Sequence, residues 1–295
     1  MTDWWLRPAP LARLAVFRTL VYLYVPLDLF VRSGQVIAHT RGPADLYDPV
    51  TPLRLLHHPA PHLWFAEVLR VVIIVAALVA ATGRLRRLAG WTVAIAYSDW
   101  VLLAMSYGKI GHDHLPILAA VLVLPTAPGA TWRAAGDSAA AGWAMRWVEI
   151  TVVATYFLSA YAKVRFGGWH WVTGATFAWA VVRRGTDLSR PLLNHPLVLL
   201  AAQWGLFLLE ASTPALLFLR QRWRIVGVVV LLLFHVTTWL TITINFLPLM
   251  VCLMAFLPLE RVAEATTRRL SRRPRGADGS RATAGAAPSS GPRPA

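Results

Sequence analysis

The sequence predicts an all-α fold, a polytopic bundle of about eight transmembrane helices. Three observations lead to this prediction. Hydrophobic residues make up 57% of the 295 residues and the mean hydropathy is +0.52, whereas a soluble domain has about 45–50% apolar residues with glycine included. These residues come in blocks of about 20, the length that a helix needs to cross the hydrocarbon core. Arginines cluster between the blocks, as in the loops of membrane proteins.

The apolar blocks are the candidate spans, and polar segments separate them. The tryptophan-containing stretch 167–182 is predicted to lie as a helix at the membrane interface, after a bend at Gly167 and Gly168, and 183–196 is predicted to be a loop. Beyond residue 260 the composition changes to Arg, Ser, Gly, Pro and Ala, so we expect a transmembrane domain, 1–260, and a disordered cytoplasmic tail, 261–295. The predicted spans are approximately 11–31, 62–82, 88–107, 109–127, 143–164, 196–219, 224–243 and 245–259.

The net charge of +15 does not indicate a nucleic-acid-binding protein, because the arginines follow the loops. With eight spans, the side with the arginine clusters 84–87 and 220–224 and the tail is richer in arginine. The other side carries the long loops 32–61 and 165–195. The positive-inside rule therefore predicts a multi-pass protein of the cell membrane with both termini in the cytoplasm. The N-terminus has neither a basic n-region nor a cleavage site, so we expect the first helix to stay in the mature protein.

Lys163 is one of only two lysines among 29 basic residues, and it lies near the end of a long apolar span. A charged lysine at the centre of a membrane helix costs about 2.5–3.5 kcal/mol on insertion scales. Glu149, Tyr156 and Lys163 are seven residues apart, and Ser159 precedes the lysine by four. A seven-residue step drifts only about 20° around a helix, so all four share one face. This face is expected to look into the bundle, unless Lys163 extends to the headgroups.

Two histidine-containing segments also place polar groups at membrane depth. His112, Asp113 and His114 precede an apolar run too short to span a bilayer alone, so a span here must include them. Such residues are expensive unless they line a wet cavity. We predict no metal site, because residues two apart on a helix point in nearly opposite directions and no ligand set at metal spacing completes the motif. His235 lies mid-span, where it either serves a site or hydrogen-bonds a neighbouring helix.

Acidic and basic residues in other spans are expected to pair. Arg18 lies in the first span and is predicted to pair with an acid across the bundle, with Asp28, Asp99 and Glu210 as the candidates.

The motifs resemble a known family. "YFLSAYAKV" at 156–164 is followed by a tryptophan-containing stretch and by "LLFHVTTWLTITINFLPLMVCLMAFLP" at 232–258. An arginine in the first span and a D-H dipeptide opening a middle helix fit as well. In order and spacing, residues 10–260 resemble the horizontally transferred transmembrane (HTTM) domain, which forms the membrane part of vitamin K-dependent γ-glutamyl carboxylase.

The resemblance implies a function. Lys163 matches the base that deprotonates vitamin K hydroquinone, and His114 and His235 match the family's histidines, which would orient the quinol or stabilise developing charge. We expect Tyr156, Ser159 and Trp239 to contribute to the quinol site. The implied activity is that of a quinol-dependent carboxylase-like lyase, with a membrane quinol of the vitamin K or menaquinol type as cofactor and CO2 and O2 as co-substrates.

Two alternatives stay open. The carboxylase has a large luminal domain after its membrane part, whereas we expect this chain to resemble bacterial members that share only the membrane core. The first alternative to an enzyme is a non-catalytic membrane protein that binds or transports a lipid or small solute. The second is a membrane anchor for a separate partner, which would supply the extracytoplasmic domain. A quinol enzyme needs a neutral lysine close to both histidines, whereas a binder or transporter works with Lys163 charged and paired to Glu149.

Overall fold

The computed structural model describes residues 2–271. Within these residues the fold is almost entirely helical, and the one strand pairing joins β1, Ala9–Pro10, antiparallel to β2, Asp137–Ser138. The α-helices are α1 Thr2–Trp5, α2 Leu11–Val31, α3 Gln35–His39, α4 Thr51–Leu55, α5 Leu63–Ala81, α6 Arg86–Met105, α7 Leu115–Val123, α8 Ala139–Gly167, α9 His170–Thr173, α10 Thr176–Arg184, α11 Pro196–Ser212, α12 Gln221–Ile242, α13 Leu247–Leu253 and α14 Glu260–Ser271. Short 3-10 turns lie at Ala44–Leu46, His112–His114, Arg190–Asn194, Thr213–Leu217 and Met254–Phe256.

The predicted all-α bundle is confirmed, and each of the eight predicted spans contains a helix. Five segments of the described chain are long and apolar enough to cross a membrane: α2 with α3, α5, α6, α11 with the turn that follows it, and α12. The turn at His112–His114 with α7, and α13 with its following turn, form shorter apolar helices. Helix α8 has 29 residues and carries Lys163 near its end.

Exposed apolar side chains mark the surfaces that face lipid. On α5, Val71 and Val75 are 56% and 57% exposed, whereas Ala66 and Ile73 are fully buried against the bundle. The exposed face of the helix is therefore as apolar as its buried face, which is the composition expected of a helix between protein and hydrocarbon.

Helix α2 packs in the centre of the N-terminal half, against α5, α7 and α13. Gly90 on α6 permits close approach, because a Cβ there would lie 3.0 Å from the Tyr22 hydroxyl and 3.0 Å from the Pro125 ring. The large rings of Tyr97 and Trp100 fill the interior beside α2 with no exposed surface. Small residues at helix contacts and large residues in the spaces between them are typical of packed membrane bundles.

The bend predicted at Gly167 and Gly168 is present and sets the wall of the site. Helix α8 ends at Gly167, and Gly168 has φ +65°, a conformation that favours glycine. Gln203 on α11 then fastens the returning chain. Its Nε2 donates to the carbonyls of Trp171 at 2.6 Å and Val172 at 2.7 Å, and its Oε1 accepts from the Phe177 N–H at 2.9 Å.

The end of the described chain differs from the predicted boundary. Residues beyond 260 were expected to be disordered, but α14 continues as a helix to Ser271. Arg13 donates to both carboxylate oxygens of Glu260, at 2.8 Å and 2.9 Å, and Ala263 is fully buried against the bundle. A bidentate ion pair and an apolar contact therefore hold the start of α14 to α2. The rest of the predicted tail, 272–295, lies outside the described residues.

Candidate functional site

An apolar cavity of about 450 Å³ lies between α8, α10, α11, α12 and α13. Its walls are mostly aliphatic and aromatic side chains, including Val181, Leu206, Phe234 and Phe246. Its polar groups come from separate helices and a turn: His112, Tyr156, Ser159, Lys163, Glu210 and His235. A concave, mostly apolar pocket with a few convergent polar groups has the usual form of a small-molecule site.

Lys163 is held by three neighbours at one side of this cavity. Its Nζ donates to Ser159 Oγ at 2.7 Å and to Glu210 Oε2 at 2.5 Å, and it lies 5.0 Å from the centre of the Trp171 ring. The Lys163 side chain is only 15% exposed and that of Glu210 9%. Lys163 therefore does not extend into open solvent, and a carboxylate, a hydroxyl and an aromatic face replace its hydration.

Tyr156 and His235 form a second polar pair in the cavity wall. The Tyr156 hydroxyl lies 2.5 Å from His235 Nε2, and both residues are almost fully buried. The Phe246 ring packs 5.0 Å from the His235 ring. His235 Nδ1 is buried and has no hydrogen-bond partner among the described residues. A buried ring nitrogen without a partner is costly, so this atom is available to a bound polar group.

A second cavity, of about 790 Å³, adjoins the first and opens between α7 and α8. Both cavities are lined by His112, Thr155, Ser159, Lys163 and Trp171. The outer cavity is also lined by Leu115, Leu158 and Phe166, whose side chains are exposed on the apolar face of the bundle. Lys163 therefore stands between an interior cavity and an opening lined by exposed apolar side chains.

The comparison with protein families agrees with this architecture. The family profile of the HTTM domain matches residues 6–261, nearly the whole described chain. The chain belongs to the HTTM family. The match is consistent with the resemblance of its motifs to the membrane domain of the carboxylase. No curated protein and no solved structure matches the chain significantly.

In this HTTM protein, His114 and His235, the two histidines expected at the quinol site, lie in different environments. His235 lines the cavity with Lys163, whereas His114 is not among the lining residues. His114 Nε2 lies 3.1 Å from Asp28 Oδ1, in a buried network in which the Tyr24 hydroxyl donates to the same oxygen at 2.6 Å. Asp113, on the other side of His114, accepts from Arg32 at 2.8 Å. The histidine of this motif that reaches the cavity is His112.

Glu149 does not pair with Lys163. The two residues share a helix face, as predicted, but they are 14 positions apart, which is about 21 Å along the axis. The Glu149 carboxylate instead accepts from Arg146 at 2.7 Å and from Arg224 at 2.5 Å, at the opposite end of α8. The partner of Lys163 is Glu210. The sequence predicts this acid within a span, but the pairing depends on how α11 packs against α8.

Two further expectations differ from the HTTM structure. Arg18 was expected to pair with an acid, but its Nη2 donates at 2.9 Å to the carbonyl of Ala130, in the loop after α7, so a backbone oxygen takes the place of the expected carboxylate. Trp239 was expected at the quinol site, but its side chain is 56% exposed and is not among the lining residues. Helix α12 presents Thr237, Thr238 and Thr241 to the cavity instead.

Trp171 is a site residue that the sequence did not single out. Its ring closes the cavity beside Lys163 after the bend at Gly168. The available signal was weak, because the tryptophans of this segment also suit an interfacial helix.

Proposed function

We propose that this HTTM protein takes a lipid-soluble hydroquinone from the bilayer into the cavity and that Lys163 accepts a phenolic proton from it. The activity would be that of a carboxylase-like membrane enzyme. The observation that carries the proposal is the position of Lys163, paired with Glu210 between an apolar interior cavity and an opening toward lipid. An enzyme whose substrate dissolves in the membrane needs such a lateral route.

The residues of the cavity fit a hydroquinone head group. The apolar walls suit its ring, and polar atoms on separate helices suit its hydroxyls. Lys163 Nζ offers one polar contact, and the unpartnered His235 Nδ1 offers another. When bound, a hydroquinone would supply the reducing electrons and, after reaction with O2, the basicity for removing a carbon-bound proton that CO2 then replaces.

The Lys163–Glu210 pair can supply a base without solvent. Transfer of a proton from the Lys163 ammonium to the Glu210 carboxylate would leave a neutral amine and a neutral acid, and the exchange needs no proton from bulk water. The amine lone pair then accepts the proton of a phenolic hydroxyl. Ser159 fixes the amine through its hydroxyl at 2.7 Å. The Tyr156–His235 pair holds the imidazole in one orientation, with Nδ1 left for the ligand.

The second candidate function is a non-catalytic protein that binds or transports a lipid or small solute. The same ion pair favours it, because Lys163 with a carboxylate, a hydroxyl and an aromatic face needs no ligand to be tolerated. On this account the cavity is a binding site and Lys163 stays charged throughout.

The test compares Lys163 with Lys109, an exposed lysine outside both cavities. The protein is reconstituted with menaquinol in nanodiscs, and quinol oxidation is followed by absorbance. We expect Lys163→Ala and Lys163→Arg to lose quinol oxidation, because arginine is not deprotonated at workable pH, while Lys109→Ala and Lys109→Arg keep it. Wild-type oxidation by Lys163→Arg would contradict a base at this position. Quinone that co-purifies with the protein but is never turned over would support the binding function.

A further inference from the structure

A separate cavity of about 490 Å³ lies at the opposite end of α8, away from the cavity that contains Lys163. Four parts of the chain form it: the segment from Arg7 to Pro10, the start of α2, the first turns of α8, and the connection from the 3-10 turn Thr213–Leu217 to α12. It is rich in positive charge. Five arginines line it, and Glu149 is the one acid among the lining residues. These arginines are Arg7, Arg13, Arg146, Arg220 and Arg224.

The acids of the described residues do not neutralise this charge. Glu149 is shared between Arg146 and Arg224, and Glu260 pairs with Arg13. Arg7 and Arg220 are exposed and have no side-chain hydrogen bond or ion pair among the described residues. Two acids therefore face five arginines, so the cavity keeps an excess of positive charge.

Arg224 carries a buried donor that no group of the described residues satisfies. Its side chain is only 9% exposed, yet its Nε has no hydrogen-bond partner among the described residues. Leaving a buried guanidinium N–H unpaired is unfavourable. The same residue lies in the first turn of α12, whose amino-terminal N–H groups and helix dipole also favour an anion.

A close backbone contact between α8 and the N-terminal segment forms part of this cavity. Gly142 on α8 lies against the segment that carries Arg7, and a Cβ at this position would approach the Arg7 carbonyl oxygen to 2.0 Å. Glycine at 142 therefore lets the segment lie directly on α8 and brings Arg7 to the rim.

Aromatic residues around the rim place the cavity at the depth of lipid headgroups. Trp4 stacks over the Arg146 guanidinium at 4.8 Å and lies 6.0 Å from Phe218. Trp147 and Trp223 are 42% and 52% exposed beside it. Tryptophans are enriched at membrane–water interfaces, and exposed valines of α12 continue from this level along the apolar face.

We propose that this arginine-lined cavity binds the phosphate of an anionic phospholipid. Arginine side chains bind phosphate oxygens through paired N–H donors, and the headgroup would occupy the cavity while its acyl chains lie along α12. Free inorganic phosphate shares the chemistry but would gain nothing from the exposed apolar surface beside the rim.

The experiment uses the whole protein in detergent, with short-chain phosphatidylglycerol, short-chain phosphatidylcholine or inorganic phosphate as the probe. Native mass spectrometry counts bound lipid, and thermal unfolding reports stabilisation. We expect phosphatidylglycerol to bind and stabilise, and phosphatidylcholine and phosphate to do so much less. Arg7→Gln and Arg220→Gln should each weaken binding about fivefold, since a basic residue near an anionic lipid surface contributes about that factor.

Both arginines are exposed and unpaired, so their variants should fold. The matched control is Arg84→Gln, an exposed arginine of another loop that lies outside this cavity, and it should bind as the wild type does. Equal binding of the two lipids, or equal losses in Arg84→Gln and the cavity variants, would overturn the proposal. Stabilisation by inorganic phosphate alone, with no retained lipid, would overturn the lipid as occupant.

Discussion

Replacing Glu210 by glutamine removes the carboxylate that faces the Lys163 ammonium and keeps the shape of the side chain. The two groups lie 2.5 Å apart, so their Coulomb attraction at an effective dielectric constant of about 20 is on the order of 7 kcal/mol. Desolvation of the two ions costs several kcal/mol each. The intact pair therefore changes the free energy of unfolding little, whereas one buried charge without its partner lowers it.

We expect Glu210→Gln to destabilise the protein by about 3–5 kcal/mol, the usual cost of breaking a buried ion pair on one side. Lys163→Met should cost a similar amount, and the double variant Lys163→Met/Glu210→Gln should cost less than the sum of the two. The assay is reversible unfolding in mixed micelles by titration with sodium dodecyl sulfate, analysed as a double-mutant cycle.

The control is the exposed pair of Arg54 with Asp48, whose side chains are 64% and 84% exposed. Removing one member of an exposed pair should change stability by about 0–1 kcal/mol. If the Lys163–Glu210 cycle gives a coupling energy as small as this control, the pair is solvated, and the argument that it is a poorly hydrated proton donor and acceptor is refuted.

Two more predictions follow from the ends and loops of the chain. Burial is the largest single influence on Glu260 and raises its pKa, but the hydrogen bonds that its carboxylate accepts and the attraction of Arg13 and Arg261 together lower the pKa below its ordinary value of 4.5. The pair with Arg13 should therefore stabilise the docked α14 above pH 4.5 and lose this contribution as the pH falls through the lowered pKa. Spin-label distances between α14 and α2 would show the transition, and Arg13→Gln should lack it. Cysteines placed at Asp187 and at Arg84, both exposed, should differ in labelling by an impermeant maleimide in intact cells, with Asp187 labelled and Arg84 protected; the reverse result would invert the predicted topology.

The fold was largely readable from the sequence because the hydrocarbon core constrains it strongly. A backbone in lipid must satisfy its hydrogen bonds within each helix, so blocks of about 20 apolar residues become helices whatever their neighbours are. The bend at Gly168 was readable for a similar local reason, since its positive φ needs glycine. The helices that were missed are α14, which has a polar composition and is stabilised by contacts with α2, and the short helices α1, α3 and α4, which lie outside the apolar blocks.

The sequence predicted most residues of the candidate site, but it did not predict which of them pair. Helical periodicity placed Tyr156, Ser159 and Lys163 on one face, and all three line the cavity. Periodicity also put Glu149 on that face, but the 14 positions between Glu149 and Lys163, about 21 Å along the helix axis, already argue against a pair within α8.

The sequence by itself determined that this is a helical membrane protein of the HTTM family. It also determined that Lys163 lies near the end of an apolar span, on the same helix face as Tyr156 and Ser159. Only the tertiary structure decided that Glu210 is the partner of Lys163, that His235 and His112 line the cavity, and that His114 binds Asp28 instead. The physical reason is that hydropathy and periodicity are properties of a single helix. An ion pair or a cavity depends instead on how several helices cross and on their register, which packing across the whole bundle sets.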